Sequence, residues 1–283
     1  MYVIGKRLLV LGLVFTVAIG CTPKEDISEK KPTTQTQTKP DPALQQVVNE
    51  YRKFVIEQMD QLVQQTELFS QAIKTGDLEK AKQLYAPTRM YYERIEPIAE
   101  SLGDLDPKID ARENDVPAAN WSGFHKLEKA LWQEKNVKGQ ELVADQLLKD
   151  VQFLRAKVET VEIDPNLLIT GSVELLNEVS ASKVTGEEER YSHTDLYDFV
   201  ANVEGSKEIF VHLKPLLEKK DAKLATDIDA KFTALQNELT KYKKGDGYVL
   251  YGELRKDQVK TLSQLLDALA EPLSRIGTVV GGV

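Results

Sequence analysis

Residues 42–76 read PALQQVVNEYRKFVIEQMDQLVQQTELFSQAIKTG. Leu44, Val47, Val48, Tyr51, Val55, Met59, Leu62, Val63 and Phe69 recur at the three- and four-residue intervals that line one face of an α-helix. Pro42 suits a first turn, Asp41 before it is a capping candidate, and Gly76 ends the pattern. The same periodicity returns along the rest of the chain. A second helix opens at Asp77 and runs through Ala81, Leu84 and Tyr85 toward Pro87, which is expected to bend or break it. Further segments fall at about Gly123–Lys135, Gly139–Val161, Asn166–Val184, Phe199–Leu217, Ala222–Tyr242 and Lys256–Ile276, with Asp164-Pro165 as a break. The reading is an all-α protein of about seven to nine helices. His212, beside Phe210 and Leu213, reads as structural, and Tyr248 and Tyr251 of the loop KKGDGYVLYG read as packing residues.

Between the second and third helices the composition changes. From Glu93 to Asp115 there are eight acidic residues against three basic ones, Arg94, Lys108 and Arg112. Glu93 and Glu96 are three apart and face one way if they share a helix; His125 and Glu128 do the same on the next one. Glu93 and Glu96 also lie between Pro87 and Pro97, where irregular backbone is expected. Gly103–Ser122 is loop-like and long for a helical connection, and loops of that length are either functional or disordered. If these faces meet, the carboxylates can share a small volume only when some are protonated or a cation sits among them. The bland alternatives are a solvated acidic face for Glu93 and Glu96, a hydrogen-bonded core histidine for His125, and a turn or capping carboxylate for Asp110. A second charged run, Gly186–Asp195, pairs Glu189 with His193 at i, i+4; three glutamates at a helix start are also favoured simply by the helix dipole.

GFHKLE at Gly123–Glu128 resembles the G-x-H-x-x-E motif of the imelysin-like proteins. YYERIEPIAESLGDLDPKIDARE, from Tyr91, and GEEERYSHTDLYDF, Gly186–Phe199, are similar to the corresponding stretches of the EfeO and EfeM iron-uptake lipoproteins, in the same order. The resemblance covers most of the chain after about residue 43. It implies two adjoining helix bundles with a metal site in the cleft between them. It also implies Glu93, Glu96, Asp110, His125 and Glu128 as ligands, joined by Glu188 and Glu189 of the Glu187–Glu189 run. An iron permease and a peroxidase are the implied partners. Larger members add an N-terminal cupredoxin-like domain; there is no room for one before the first helix, so the expectation is the short form. An oxygen-rich set with one imidazole suits iron, zinc, manganese or calcium, with iron favoured by the resemblance.

Upstream, residues 1–20 carry Lys6 and Arg7, an apolar run Leu8–Ile19 and Gly20, read as a secretory signal. Ala18-Ile19-Gly20-Cys21 resembles a bacterial lipobox, which makes Cys21 the lipidated N-terminus of a protein anchored to the membrane on its extracytoplasmic side. Residues 21–42 read as a disordered tether, and 43–283 as the imelysin-like helical domain. With one cysteine the exported chain has no internal disulfide, so its stability rests on an apolar core. Loss of the signal removes two positive charges and no negative ones, taking the formal net charge from −8 to −10. That balance argues against nucleic acid and favours cations.

Two other functions compete with metal uptake. Imelysin-like proteins have been grouped with metallopeptidases, but the familiar zinc peptidases use His-Glu-x-x-His, and here Lys129 stands four residues after His125. The other is a metal-independent surface interaction module.

Overall fold

The computed structural model describes residues 42–181 and 183–281. The signal segment, Cys21, nearly all of the tether and the Asp41 cap lie outside the described residues. Among the described residues no helix is long and apolar enough to cross a membrane.

The first apolar stripe forms helix α1, Pro42–Lys74, which buries Leu44, Val48, Tyr51, Val55, Met59, Leu62 and Phe69. It packs lengthwise against α2 (Leu78–Glu93) and α6 (Glu141–Thr160), whose Ala144, Leu147, Val151, Leu154 and Val158 make the facing stripe. Arg52 of α1 donates to the carbonyls of Val158 at 2.7 Å and Val161 at 2.5 Å, satisfying the open end of α6. Between α2 and α6 come three short helices, α3 (Glu96–Ser101), α4 (Asp106–Asp110) and α5 (Phe124–Lys129), the last continued by a wider turn through Ala130–Glu134.

The second group is α7 (Pro165–Ala181), α8 (Asp195–Thr240) and α9 (Lys256–Ser274). α8 is a hairpin. Phe210 and Phe232 stack with centroids 5.6 Å apart, Lys214 reaches Asp229 at 2.8 Å, and Lys207 reaches Gln236 at 2.6 Å. In one straight helix the two rings would stand about 33 Å apart. The chain reverses at Asp221 (φ −148°, ψ 81°), whose carboxylate caps the second arm by accepting from the Leu224 N–H at 2.9 Å. This is the break expected between Leu217 and Ala222. A two-stranded hairpin, Lys243–Lys244 with Gly247–Tyr248, follows.

Two expectations are corrected. Pro87 is accommodated inside α2, and the break falls later, at Arg94–Ile95, so Glu93 ends one helix and Glu96 begins another. The acidic loop is also less irregular than its composition suggests, because residues 106–110 form α4. The two helix groups meet where α2 packs on α8, and Gly205 of α8 is what permits it: a Cβ there would stand 2.3 Å from the Arg94 carbonyl oxygen.

Candidate metal centre

The junction between the two groups is polar and buried. α2 delivers Arg89 and Glu93 from successive turns, four residues apart on one face. α3 delivers Glu96 in its first turn, α4 ends on Asp110, and the first turn of α5 presents His125 and Glu128. From the other group come Lys183, Glu188 and Glu189 of the α7–α8 connection, then Asp195, Asp198 and Asn202 on one face of α8. Gly123 sets the position of α5. Its φ is +85°, and a Cβ would lie 2.2 Å from the Ile109 carbonyl oxygen, so only glycine lets the histidine turn pass this close to α4.

Two permanent cations sit inside this set. The Arg89 guanidinium, fully buried, pairs with Glu93 and Asp110, lies 2.6 Å from Glu189 and 3.4 Å from Asp198. The Lys183 ammonium, also fully buried, donates to Glu93 at 2.7 Å, to both oxygens of Glu96 at 3.2 and 3.0 Å, and to Asn202 Oδ1 at 3.0 Å. Asn202 Nδ2 completes the arrangement by donating to Glu93 Oε2 at 3.1 Å and Glu96 Oε2 at 2.8 Å. Burial works to raise the Glu93 carboxyl, but Lys183 and Arg89 outweigh it and hold it below the usual range. Burial pushes Glu96, Glu189 and Asp198 up, further than Lys183 or Arg89 can offset. The acids therefore divide: fixed cations hold Glu93 below the usual carboxylate range, while burial leaves Glu96, Glu189 and Asp198 above it.

His125 stands apart from these pairs. Its Nδ1 faces Glu128 Oε2 at 3.3 Å, while Glu128 Oε1 accepts from the Tyr191 and Ser192 backbone N–H groups at 2.9 and 2.7 Å. Its Nε2 is buried without a hydrogen-bond partner, 3.6 Å from Asp110 Oδ1 and 3.6 Å from Glu188 Oε1. Burial and Arg89 depress the imidazole pKa, but Glu128, Glu188 and Asp110 more than compensate and raise it to about 10. The ring thus carries a proton at neutral pH that a bound cation would displace. A carboxylate holding one ring nitrogen while the other faces a ligand position is the usual way a metal-binding histidine is oriented.

Asp110, His125 and Glu188 offer ligand atoms within 4.8 Å of one another, as do His125, Glu128 and Glu189, and Glu96, Glu100 and Glu178. The first trio fits a cation best. It contains the unpartnered nitrogen, and its two carboxylates line a cavity of about 200 Å³ open at the surface, walled also by Glu100, Asp106, Arg112 and Glu178. Arg112 bridges Glu188 at 2.8 Å and Asp115 at 3.1 Å, and Arg190 donates to the Glu113 carbonyl at 2.7 Å, so the loop after α4 is tied to the turn before α8.

The sequence-read ligands are accordingly distributed. Asp110, His125 and Glu188 converge; Glu128 orients the histidine; Glu189 is taken up by Arg89; Glu93 and Glu96 are bound by Lys183 and Asn202. The glutamate run precedes α8 rather than starting it, with Glu188 and Glu189 buried and Glu187 exposed. His193 is exposed, and its link to Glu189 is backbone only, its N–H donating to the Glu189 carbonyl at 2.9 Å. His212 pairs with Glu208 at 3.1 Å and packs edge-on to Tyr51, a structural role as expected. Tyr251 packs under Gly186 and donates to the Val184 carbonyl, and Tyr248 packs on Tyr197. Sequence reading missed Arg89, Lys183 and Asn202, whereas Asp195 and Asp198 fall in the second charged stretch, Gly186–Phe199, that it singles out. Arg89 was accessible through its i, i+4 spacing to Glu93, and Asn202 through the helical face it shares with Asp195 and Asp198.

Residues 47–276 match the sequence model of the family described as Imelysin, Peptidase_M75. The chain is 48% identical over 261 residues to an Efem/EfeO family lipoprotein of Staphylococcus haemolyticus (strain JCSC1435), covering 90% of this chain and 91% of the relative. It is 48% identical over 242 residues to an Efem/EfeO family lipoprotein of Staphylococcus aureus (strain NCTC 8325 / PS 47), covering 83% and 85%. With its helical bundles, its G-x-H-x-x-E turn and matches that span most of its length, the chain belongs to the imelysin family, among the Efem/EfeO family lipoproteins.

Proposed function

We propose that this protein is a lipid-anchored surface component that captures a metal ion, iron foremost, at Asp110, His125 and Glu188 and passes it to a membrane permease. The observation that carries the reading is the buried His125 Nε2, which makes no hydrogen bond and stands 3.6 Å from each of two carboxylates, Asp110 and Glu188, that line an acidic cavity. Asp110 and Glu188 supply hard oxygen ligands, His125 a borderline nitrogen, and Glu128 fixes the ring. The cavity mouth, with Glu100 and Glu178, attracts the incoming ion. The lipoprotein relatives and the lipobox-like Ala18–Cys21 support an anchor on Cys21, on the extracytoplasmic side. The permease, and a peroxidase as a second partner, follow from the family resemblance.

The test is calorimetric titration of the full chain in detergent with ferrous, ferric, zinc, manganese and calcium ions. His125→Ala and Glu188→Ala are each expected to weaken binding of the preferred ion by at least about 1.4 kcal/mol, a factor of ten. Equal affinity in wild type and both variants would remove the site from this cavity.

A further inference from the structure

Lys183 occupies an oxygen-rich position of this acidic core. Its ammonium, fully buried, has four oxygen contacts from three elements: Glu93 at 2.7 Å, Glu96 at 3.0 and 3.2 Å, and Asn202 at 3.0 Å. Glu96 lines the same cavity as Asp110 and Glu188, the carboxylates of the proposed ion site. Glu93 is also joined to that site through Arg89, which binds both Glu93 and Asp110. A fixed positive charge here opposes a second cation nearby and withholds two carboxylates from it.

We propose that Lys183 is a tethered competitor of the cargo ion: its ammonium holds Glu93 and Glu96 in the metal-free protein and withdraws on loading, which sets affinity and speeds release. This inference rests on the metal-capture reading above.

The geometry gives the ammonium somewhere to go. Lys183 starts a three-residue turn, Lys183–Thr185, between α7 and α8, and Gly186 follows at φ +77°, outside either long helix. Its Nζ is already 3.9 Å from Glu178, a third exposed, which shares the cavity wall with Glu96 and Glu100. Rotation toward Glu178 and Glu100 moves the charge to the cavity mouth and frees Glu93, while Glu96, whose ligand atom lies within 4.8 Å of theirs, borders both positions. When the ion leaves, the ammonium returns to the same oxygens, so release exposes no uncompensated buried acid pair.

The experiment is manganese(II) binding to the full chain in detergent, with two readouts. In the first, Lys183→Met should bind manganese about tenfold or more tightly than wild type, because one like charge is removed from the site. Helical circular dichroism confirms that the variant is folded. In the second, which needs no variant, amine-reactive labelling of the wild type is read by peptide mass spectrometry. Lys183 should be protected without metal and labelled several-fold faster at saturating manganese, while exposed Lys53 stays constant. Manganese bound with Lys183 still protected, or bound no more tightly by Lys183→Met, overturns the proposal and leaves the capture reading standing. If wild type binds no manganese, the capture reading fails for this ion; tight binding by Lys183→Met would then still support a blocking ammonium, and none by either protein overturns both.

Discussion

The buried acidic core has two halves that solve the same electrostatic problem differently. Around Glu93, Glu96 and Asn202 the compensating charge is Lys183, which is part of the chain and fully hydrogen-bonded. Around Asp110 and Glu188 it includes the proton on His125, whose Nε2 makes no hydrogen bond. A proton can leave for solvent when a metal arrives, whereas an ammonium on a side chain must be moved. The lesson is that acid-rich burial does not by itself mark a metal site. What distinguishes the binding half is a ligand atom that makes no hydrogen bond, beside two carboxylates that reach an open cavity.

This contrast can be broken at several points. The largest effect is expected at Arg89, the cation common to both halves. Arg89→Met leaves Glu93, Asp110 and Glu189 buried without their guanidinium and should cost about 3–5 kcal/mol, seen as a lower urea midpoint. The partly exposed Arg112, which also pairs with Glu188, should cost under about 1 kcal/mol in the same assay when changed to Met. Comparable losses at both positions would mean that burial of the acid set is not what makes Arg89 costly to remove.

Next in size is the binding half itself. His125→Ala should cost metal affinity a factor of about ten or more, whereas Asn202→Leu, in the Lys183 half, should act mainly on stability. The reverse ranking of the two variants in a metal titration would exchange the roles of the halves.

A smaller effect is expected at the cavity mouth. Desolvation, with Glu178 and Asp106 nearby, raises the Glu100 carboxyl to about 7. A carboxyl whose folded pKa lies above its unfolded value favours the folded state less as pH rises from about 4.5 through 7, because ionisation is then easier in the unfolded chain. Glu100→Gln should therefore leave stability unchanged at pH 4 and raise it by about 0.5 kcal/mol at pH 8, a value reduced by the exposure of the side chain. Equal gains at both pH values would remove the charge explanation. Smallest of all, Glu50→Gln, which breaks the exposed Lys53 pair on α1, should stay within about 0.5 kcal/mol of wild type in urea unfolding.

Much of the fold was legible because helices carry their own period. The stripe Leu44–Phe69 is α1, and the gap between Leu217 and Ala222 is the reversal at Asp221. The site was legible only in part. Glu93 and Glu96 were expected to face one way as helical neighbours, and both do meet Lys183, yet a helix break separates them. Their common direction comes from tertiary contacts rather than from one helical face. Lys183 lies 90 residues from Glu93 in sequence, and no spacing rule connects a lysine in the turn between α7 and α8 with a glutamate at the end of α2. The role of Gly123 was hidden for a related reason: its motif was visible, but the Ile109 carbonyl that requires a glycine is brought there by α4.

The most direct measurement is anomalous diffraction at the iron edge from crystals of the protein grown with iron. The account predicts a single strong peak at roughly 2.0–2.6 Å, the range of metal–nitrogen and metal–oxygen bonds, from His125 Nε2 and from carboxylate oxygens of Asp110 and Glu188. A peak confined to surface carboxylates, or none in crystals containing iron, would contradict it.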